Sequence, residues 1–343
     1  MIDLIPTPEQ QEVADSIAAF LADNLPVERH RTDRGRRGHS EHEPEMWSQL
    51  AELGCFGLSL AEDKGGIGLT LAEDTLAFRE YGRHLVSPAM LGTVLAAKIA
   101  AHAGKADLVE ALLTGKRRAG IGHAVGPNAP AGRLQLFDVR AGDLVVVWDD
   151  AGTQLYEAAA LGGMQGVNCI DHSVIMATVD VPDASLNKPL ASVSVRESPL
   201  PQVAAVLMAA MLTGITEAIR DMAVVQAQTR MQFGQVIGTF QAVKHKVADI
   251  GMAGELAWCE AVYAALTLVE KTPDGPFHAW NAKMIAGSGA LDAAKTNIQL
   301  HGGMGFTAEL NAHLFLKRVH VLNEVGGNLR ELQDRTLALS AEA

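Results

Sequence analysis

Residues 299–309 read QLHGGMGFTAE, and residues 230–241 read RMQFGQVIGTFQ. Paired glycines let backbone N–H groups approach an anion, because no Cβ stands in the way. A guanidinium such as that of Arg230 matches phosphate oxygens in a fixed fork geometry. The glycine run alone is also compatible with a turn between helices. The glutamine before it and the Arg-x-x-Phe-Gly pattern in the other segment favour phosphate binding.

The periodicity around these segments predicts the rest of the fold. Apolar residues repeat at helical spacing from Thr7 to about Gly115, and Thr7-Pro8-Glu9-Gln10 is typical of a helix start. Long helical patterns return from Val203 to Ala338. Between them, β-branched runs bounded by turn residues predict strands over Leu134–Val139, Leu144–Trp148, Ser173–Val179 and Ala191–Val195.

This order predicts an α+β protein that is mainly α. Its three parts are an N-terminal helical bundle over 1–118, a small middle β domain over 119–198 and a C-terminal four-helix bundle over 199–343. The most apolar segment, Val203–Ile219, contains polar residues and is predicted to be a buried helix rather than a membrane span. We therefore expect no membrane partner.

Composition excludes several classes of function. The formal net charge of −12 argues against nucleic-acid binding, which depends on clustered Lys and Arg. The cysteines, Cys55, Cys169 and Cys259, show no Cys-x-x-Cys spacing, and reduced thiols in a cytoplasm fit them best. No export signal is visible at the N-terminus, so a cytoplasmic location is predicted.

The two segments quoted first resemble the two flavin-binding signatures of the acyl-CoA dehydrogenase family. Residues 53–69 resemble a segment of its N-terminal helical domain, and the order helix, strand, helix matches its architecture. The resemblance covers most of the chain and is weakest in the strand region. It implies FAD as cofactor, since in this family the two segments come from two subunits of a dimer and together hold the adenosine pyrophosphate of one FAD.

Carried over position by position, the resemblance assigns six cofactor-binding residues: Arg230, Phe233 and Gln241 on one side, with Gln299, Gly302 and Gly303 on the other. Two of them have simpler interpretations. Arg230 could form a surface ion pair, and Phe233 could be a packed core residue.

The resemblance also shows what is missing. In the family, a glutamate removes the α-proton of an acyl-CoA thioester while the flavin accepts a hydride from the β-carbon. Counting without gaps from Gln299 places the usual glutamate at Gly326, and the second known placement corresponds to residues 200–206, which contain no acid. Glu324 could replace it only if its loop shifted; otherwise it is a solvated charge at a helix end. We assign this chain no catalytic residue.

The strand region departs from the family pattern as well. Residues 125–132 run almost directly into Leu134, where the family carries segments that contact the flavin ring and the substrate. Part of the flavin and acyl-CoA surface is therefore expected to be missing. Trp148 and Trp280 are expected to be core aromatics rather than flavin contacts.

Two further clusters have simple interpretations. The basic run over residues 29–37 is predicted to be a solvated loop rather than a CoA phosphate site. The glycines at 65, 66 and 68 lack the preceding strand of a dinucleotide fingerprint and are predicted to form a turn. We expect no metal site.

These features favour a subunit of a heteromeric acyl-CoA dehydrogenase. A homologous partner would supply the glutamate and most of the acyl-CoA pocket, in an α2β2 heterotetramer, as in actinobacterial members that oxidise steroid side-chain CoA thioesters. Two alternatives stay open at this point. One is a non-enzymatic structural homologue, and the other is a flavin monooxygenase of the same fold, which needs no α-proton base.

Overall fold

The computed structural model of the chain describes residues 4–32, 44–124, 133–181 and 188–341. Helices dominate both ends of the chain and a small sheet lies between them, which confirms the predicted fold class. The first part contains helices α1 to α6 and a short 3-10 turn. They span Pro8–Asn24, Arg29–Thr32, Pro44–Glu52, Leu71–Arg83, Ala89–His102 and Ala106–Leu113, with the 3-10 turn at Glu62–Lys64.

Helix α1 begins where the sequence predicts. The Thr7 hydroxyl accepts a hydrogen bond from the Gln10 backbone N–H while the Gln10 side chain accepts one from the Thr7 N–H, and Pro8 is the first helical residue. The predicted turn at residues 65–68 is also present, since Gly65 has the left-handed φ of +86° after the 3-10 turn. The basic run over residues 29–37 is not entirely the solvated loop that the sequence predicts. Arg29 and His30 hydrogen-bond to the backbone carbonyl of Leu85, while residues 33–37 lie outside the described residues.

The middle part is a seven-stranded sheet in the order β5-β6-β2-β1-β3-β4-β7, in which only the β1–β3 pair is parallel. The strands β1 to β7 are Ala119–Ala124, Arg133–Phe137, Leu144–Trp148, Gly152–Glu157, Gln165–Val167, Met176–Asp180 and Ala191–Ser194, with the short helix α7 at Ala158–Leu161. Four of these, β2, β3, β6 and β7, were predicted; the bounds of β3 are as predicted and the ends of the other three differ by at most three residues. Residues 125–132, where the sequence predicts a shortened region, lie outside the described residues.

Strand β3 connects the sheet to the rest of the protein through alternation of its side chains. Leu144, Val146 and Trp148 join the main hydrophobic core, whereas Val145 and Val147 belong to a second cluster on the other face of the sheet. Both faces of the sheet are therefore covered. This alternation directs the indole of Trp148 towards the helices of the C-terminal part.

The C-terminal part contains helices α8 to α12 and a small hairpin. The helices are Leu200–Thr229, Gln241–Glu270, Gly275–His301, Ala312–Glu324 and Leu329–Ala341; the hairpin strands β8 and β9 are Met231–Gln232 and Gln235–Val236, and 3-10 turns occupy Ile237–Thr239 and Gly302–Phe306. Within the described part of the chain, α8 and α9 are long and apolar enough to span a membrane by length and composition alone. The apolar window of α8 is 94% buried inside the protein, which confirms the predicted core helix, whereas that of α9 is 39% buried.

Helices α4 and α8 cross at very close range because both carry glycine at the crossing. A Cβ at Gly82 would overlap the Met211 carbonyl, and one at Gly214 would overlap the Arg79 carbonyl. Beside the crossing, the buried Glu217 carboxylate accepts hydrogen bonds from Arg79 (2.7 and 2.8 Å) and Arg83 (3.2 Å). The crossing fixes the N-terminal helices against the C-terminal bundle.

A buried arginine joins all three parts of the chain. Arg318 on α11 is fully buried; its guanidinium donates to the Asp171 carboxylate at 2.6 Å, to the Leu85 and Val86 carbonyls at 2.6 Å, and to the Ser173 hydroxyl at 2.8 Å. Residues 85 and 86 belong to the N-terminal part and residues 171 and 173 to the sheet. Arg318 therefore fixes α11 against residues 85 and 86 of the N-terminal part and against residues 171 and 173 of the sheet.

Asp138 lies near this arginine and gives stability a defined pH dependence. It is fully buried, accepts hydrogen bonds from the Ser87 hydroxyl and from the Ile175 N–H (2.7 Å), and burial raises its pKa to about 6. A carboxyl with a raised folded-state pKa destabilises the fold above that pKa, and the penalty disappears as the pH falls towards its unfolded value of about 4.

We therefore expect the unfolding free energy of Asp138→Asn, measured relative to that of the wild type, to be higher at pH 7.5 than at pH 4. The difference should be on the order of 2–3 kcal/mol, because each pKa unit corresponds to about 1.4 kcal/mol. Denaturant unfolding of both proteins at both pH values measures it, and comparing the two proteins removes the contributions of other titrating groups, such as Asp171. An equal effect at both pH values would contradict the prediction.

Candidate functional site

The first predicted segment forms a hairpin that projects from the end of α8. Arg230 caps α8, and its carbonyl accepts a hydrogen bond from the Ile237 N–H at 2.8 Å. The turn between β8 and β9 consists of Phe233 and Gly234, with φ values of +52° and +79°, as two-residue hairpin turns require. Phe233 is 91% exposed, so its interpretation as a packed core residue is wrong.

The exposed groups of the hairpin are free to meet a ligand or another chain. Arg230 is exposed, and none of the ion pairs among the described residues includes it, which removes the support for the surface ion-pair interpretation. The Phe233 ring contacts only the edge of the Phe240 ring, at a centroid distance of 6.1 Å, among the described aromatic pairs. Gln241, the first residue of α9, is also exposed.

The second predicted segment ends α10 and turns into a 3-10 helix. Gly302 has a φ of +63°, and a Cβ at Gly302 or Gly303 would have no atom within 4 Å. A Cβ at Gly305 would instead lie 2.7 Å from the Ile298 carbonyl oxygen. Gly305 is thus needed for packing inside the protein, whereas Gly302 and Gly303 form an open surface that an anion can approach closely.

One hydrogen bond joins the two segments within this chain. Lys246, in the second turn of α9, donates from Nζ to Gln299 Oε1 at 2.8 Å. The start of α9, with Gln241, and the end of α10, with Gln299 and the open glycines, therefore lie side by side. Nothing in the sequence pattern pointed to Lys246, because a lysine five positions after Gln241 belongs to neither signature segment.

The loop at the position of the family's usual glutamate is filled by other side chains. Gly326 has a φ of +72°, and a Cβ there would lie 2.6 Å from Cζ2 of Trp148 and 3.1 Å from Cε of Met208. Trp148 is buried, as is Trp280, which confirms the predicted core positions of both indoles. The space that a carboxylate would need at residue 326 is occupied by the Trp148 indole.

Cationic side chains hold the carbonyl groups of the same loop. The Lys283 ammonium is buried and donates to the carbonyls of Val325 and of Gly327 (2.6 Å), while Arg335 donates to the Gly326 carbonyl at 3.1 Å. Burial lowers the pKa of Lys283 to about 7. Arg335 also pairs with Asp150 of the β3–β4 turn at 2.8 Å. These contacts fix the loop against the sheet, and nothing in the sequence pattern pointed to Lys283 or Arg335.

Two other places in the chain correspond to a possible base, residue 324 and the start of α8. Glu324 is the exposed last residue of α11 and lines a cleft of about 270 Å³ together with His320, Arg330 and Lys283; Trp148 does not line it. At the start of α8, residue 202 is a buried glutamine whose Oε1 accepts no hydrogen bond from the described part of the chain. An amide has no basic group that could remove an α-proton at neutral pH.

The two open segments fit the phosphates of a dinucleotide such as FAD. They combine an exposed guanidinium, an exposed carboxamide and a pair of glycines that leave room for close backbone approach. The filled loop at Gly326 does not fit the catalytic carboxylate that would act on a thioester. The chain therefore combines two open segments with a filled loop at Gly326.

Comparison with known proteins gives a consistent result. The sequence matches the acyl-CoA dehydrogenase C-terminal domain over residues 202–338 and the N-terminal domain over residues 7–116. It is 30% identical to acyl-CoA dehydrogenase IpdE2 of Mycobacterium tuberculosis over 92% of both chains. Among solved structures, the ChsE4-ChsE5 complex from M. tuberculosis has a TM-score of 0.80 at 19% identity, covering all of both chains. The "Tcur3481-Tcur3483 steroid ACAD" has a TM-score of 0.80 at 23% identity, covering 97% of this chain and 98% of that one. The chain therefore belongs to the acyl-CoA dehydrogenase family.

Proposed function

We propose that this chain is a non-catalytic subunit of a heteromeric, FAD-dependent acyl-CoA dehydrogenase. The observation that carries the proposal is the contrast between two regions of one chain. The Gly326 loop is closed against Trp148, whereas the hairpin at Phe233 and the glycines at 302 and 303 are open. A homologous partner subunit supplies the catalytic glutamate and most of the acyl-CoA pocket.

In this assembly the chain binds and orients the cofactor. Bound FAD would supply the hydride acceptor for the α,β-desaturation of the acyl thioester. Arg230 holds FAD phosphates through the first segment, and the backbone at Gly302 and Gly303 does so through the second, while Gln241 and Gln299 donate from their amides. Because the two segments of one FAD site come from two subunits in this family, each segment of this chain belongs to a composite site that a partner segment completes. Phe233 offers its exposed ring to the adenosine end or to the partner. The α-proton is removed by the partner's carboxylate, since this chain has none at residue 326.

Two of the similar structures support a homologous partner, because their names describe complexes of two differently named chains, ChsE4-ChsE5 and Tcur3481-Tcur3483. The latter is described as a steroid ACAD. We propose an α2β2 heterotetramer that acts on a steroid side-chain CoA thioester. A subunit whose loop at residue 326 is filled by Trp148 is consistent with a bulky substrate that is bound mainly by the partner.

The test is the flavin absorbance and mass of this protein purified alone and after co-expression with a glutamate-bearing homologue encoded beside it. Yellow colour and a larger assembly only with the partner support the proposal. A yellow homo-oligomer that consumes oxygen would favour the monooxygenase of the same fold. A colourless protein in both preparations would favour a non-enzymatic homologue.

We expect Arg230→Ala to weaken FAD binding to the complex by about tenfold to a hundredfold, because a charge-assisted hydrogen bond contributes about 1.5–3 kcal/mol. FAD titration into the apo-complex, followed by flavin fluorescence, measures the change. Arg196→Ala is the matched control, since Arg196 is also exposed but lies in the loop before α8. Unchanged affinity in Arg230→Ala would refute the assignment of this residue.

A further inference from the structure

We infer that Lys246 is a positioning residue of the cofactor site, which orients the Gln299 carboxamide so that its N–H groups face the FAD phosphates. This inference rests on the proposed function and names a residue that the two signature segments do not include. It depends on the contact between Lys246 Nζ and Gln299 Oε1, at 2.8 Å.

The chemistry of the two groups fixes the orientation of the amide. An ammonium group can only donate hydrogen bonds, so the atom of Gln299 that faces it must be the oxygen. The amide nitrogen then points away from Lys246, with both of its N–H groups available to an acceptor. Gln299 is exposed and lies three residues before Gly302. Without Lys246 the amide could rotate and present its oxygen, which repels a phosphate, to the same space.

The charge distribution of the two segments favours an anion at this place. The chain contains 40 acidic and 28 basic residues, yet residues 230–248 and residues 293–308 contain no Asp or Glu. The first stretch carries Arg230, Lys244 and Lys246, and it includes the N-terminal end of the 30-residue helix α9, where the helix dipole favours negative charge. Lys246 thus adds a positive charge beside the open glycines and also sets the polarity of Gln299.

The alternative is that this hydrogen bond only fastens α9 to α10. The two roles predict different FAD affinities. A hydrogen bond that only joins α9 to α10 changes the stability of the protein and leaves FAD affinity and its salt dependence unchanged. A positioning role lowers FAD affinity, reduces the salt dependence by the loss of one phosphate-facing charge, and makes the effects at 246 and 299 non-additive.

The experiment uses the purified complex with the partner subunit, stripped of flavin and titrated with FAD at several salt concentrations. Flavin fluorescence reports binding, and thermal unfolding of the apo-complex reports stability. The variants are Lys246→Met, Lys246→Arg, Gln299→Leu and the double variant of Lys246→Met with Gln299→Leu. Lys244→Met is the charge-matched control, because Lys244 lies in the first turn of the same helix and makes no described contact with Gln299.

We expect Lys246→Met to weaken FAD binding about tenfold with a smaller salt dependence, and Lys246→Arg to recover most of the affinity. The double variant should bind more weakly than Gln299→Leu alone, because the charge of Lys246 is also lost, but by less than the full effect of Lys246→Met. Lys244→Met should have a much smaller effect than Lys246→Met. Wild-type affinity in Lys246→Met, or fully additive effects at 246 and 299, would overturn the inference while the proposed function stands. Failure of the wild-type complex to take up FAD would overturn the proposed function, and the inference with it.

Discussion

Gly326→Glu is expected to give the complex no additional dehydrogenase activity and to destabilise this chain. The added side chain must start from a backbone with a φ of +72°, and its Cβ would lie 2.6 Å from the Trp148 indole. A left-handed backbone costs about 1–2 kcal/mol for a residue other than glycine, and overpacking a filled core costs about 1–3 kcal/mol. We therefore expect a loss of about 2–5 kcal/mol in the free energy of unfolding, measured by denaturant titration.

The two contributions can be separated with smaller substitutions. Gly104 has a φ of +68°, and a Cβ there would have no atom within 4 Å. Gly104→Ala should therefore lose only the backbone contribution, whereas Gly326→Ala should lose that and the overpacking contribution together. Equal losses would show that the indole moves aside at little cost. A large gain in activity for Gly326→Glu would refute the closed catalytic site and the proposed division of roles between the subunits.

Arg318→Met is expected to be among the most destabilising single substitutions in this chain. It removes every hydrogen bond of a fully buried guanidinium and leaves the buried Asp171 carboxylate without its cation. Breaking a buried ion pair on one side costs about 3–5 kcal/mol, because the remaining charge stays desolvated. Since Arg318 contacts both other parts of the chain, we expect the loss of unfolding free energy to be accompanied by weaker assembly with the partner.

Lys317→Met is the control for this prediction, because Lys317 is the adjacent residue of α11 and is only partly buried. Its effect on unfolding should be within about 0.5 kcal/mol, the usual range for positions of this kind. Arg318→Lys tests the geometry, since a single ammonium cannot reach four acceptors as a planar fork does. Wild-type stability in Arg318→Met would show that water or a neighbouring cation replaces the guanidinium.

The sequence predicted the order of helices and strands well because burial periodicity is a local property. The start at Thr7 and Pro8, the four strongest strands and the buried helix after Leu200 all follow from patterns within ten to thirty residues. Strand β1 was not predicted, since AGIGHA contains two glycines and lacks strand propensity. Its glycine at 120 is explained by a contact with the neighbouring strand, since a Cβ there would lie 2.6 Å from the Phe137 carbonyl oxygen.

The candidate site could be predicted only in part for the same reason. The open glycines and the hairpin follow from residues within one segment, so motif reasoning located them. The indole at Gly326, the ammonium of Lys283 and the contact between Lys246 and Gln299 each join residues more than 40 positions apart. No local pattern reveals such pairs. Phe233 was uncertain because an aromatic side chain in a turn can be buried or exposed, and only the hairpin geometry decides.

The indole at residue 148 also has a consequence for how this chain can change in evolution. A side chain introduced at residue 326 meets Trp148 and Met208, so that single step is costly. Replacing Trp148 with a smaller residue first would leave a cavity in the core, which typically costs about 3–5 kcal/mol for a large aromatic residue. Each single-step route to a carboxylate at residue 326 therefore passes through a less stable protein. If the proposed division of roles holds, the filled loop itself keeps the chain dependent on its partner, irrespective of any selection for the assembly.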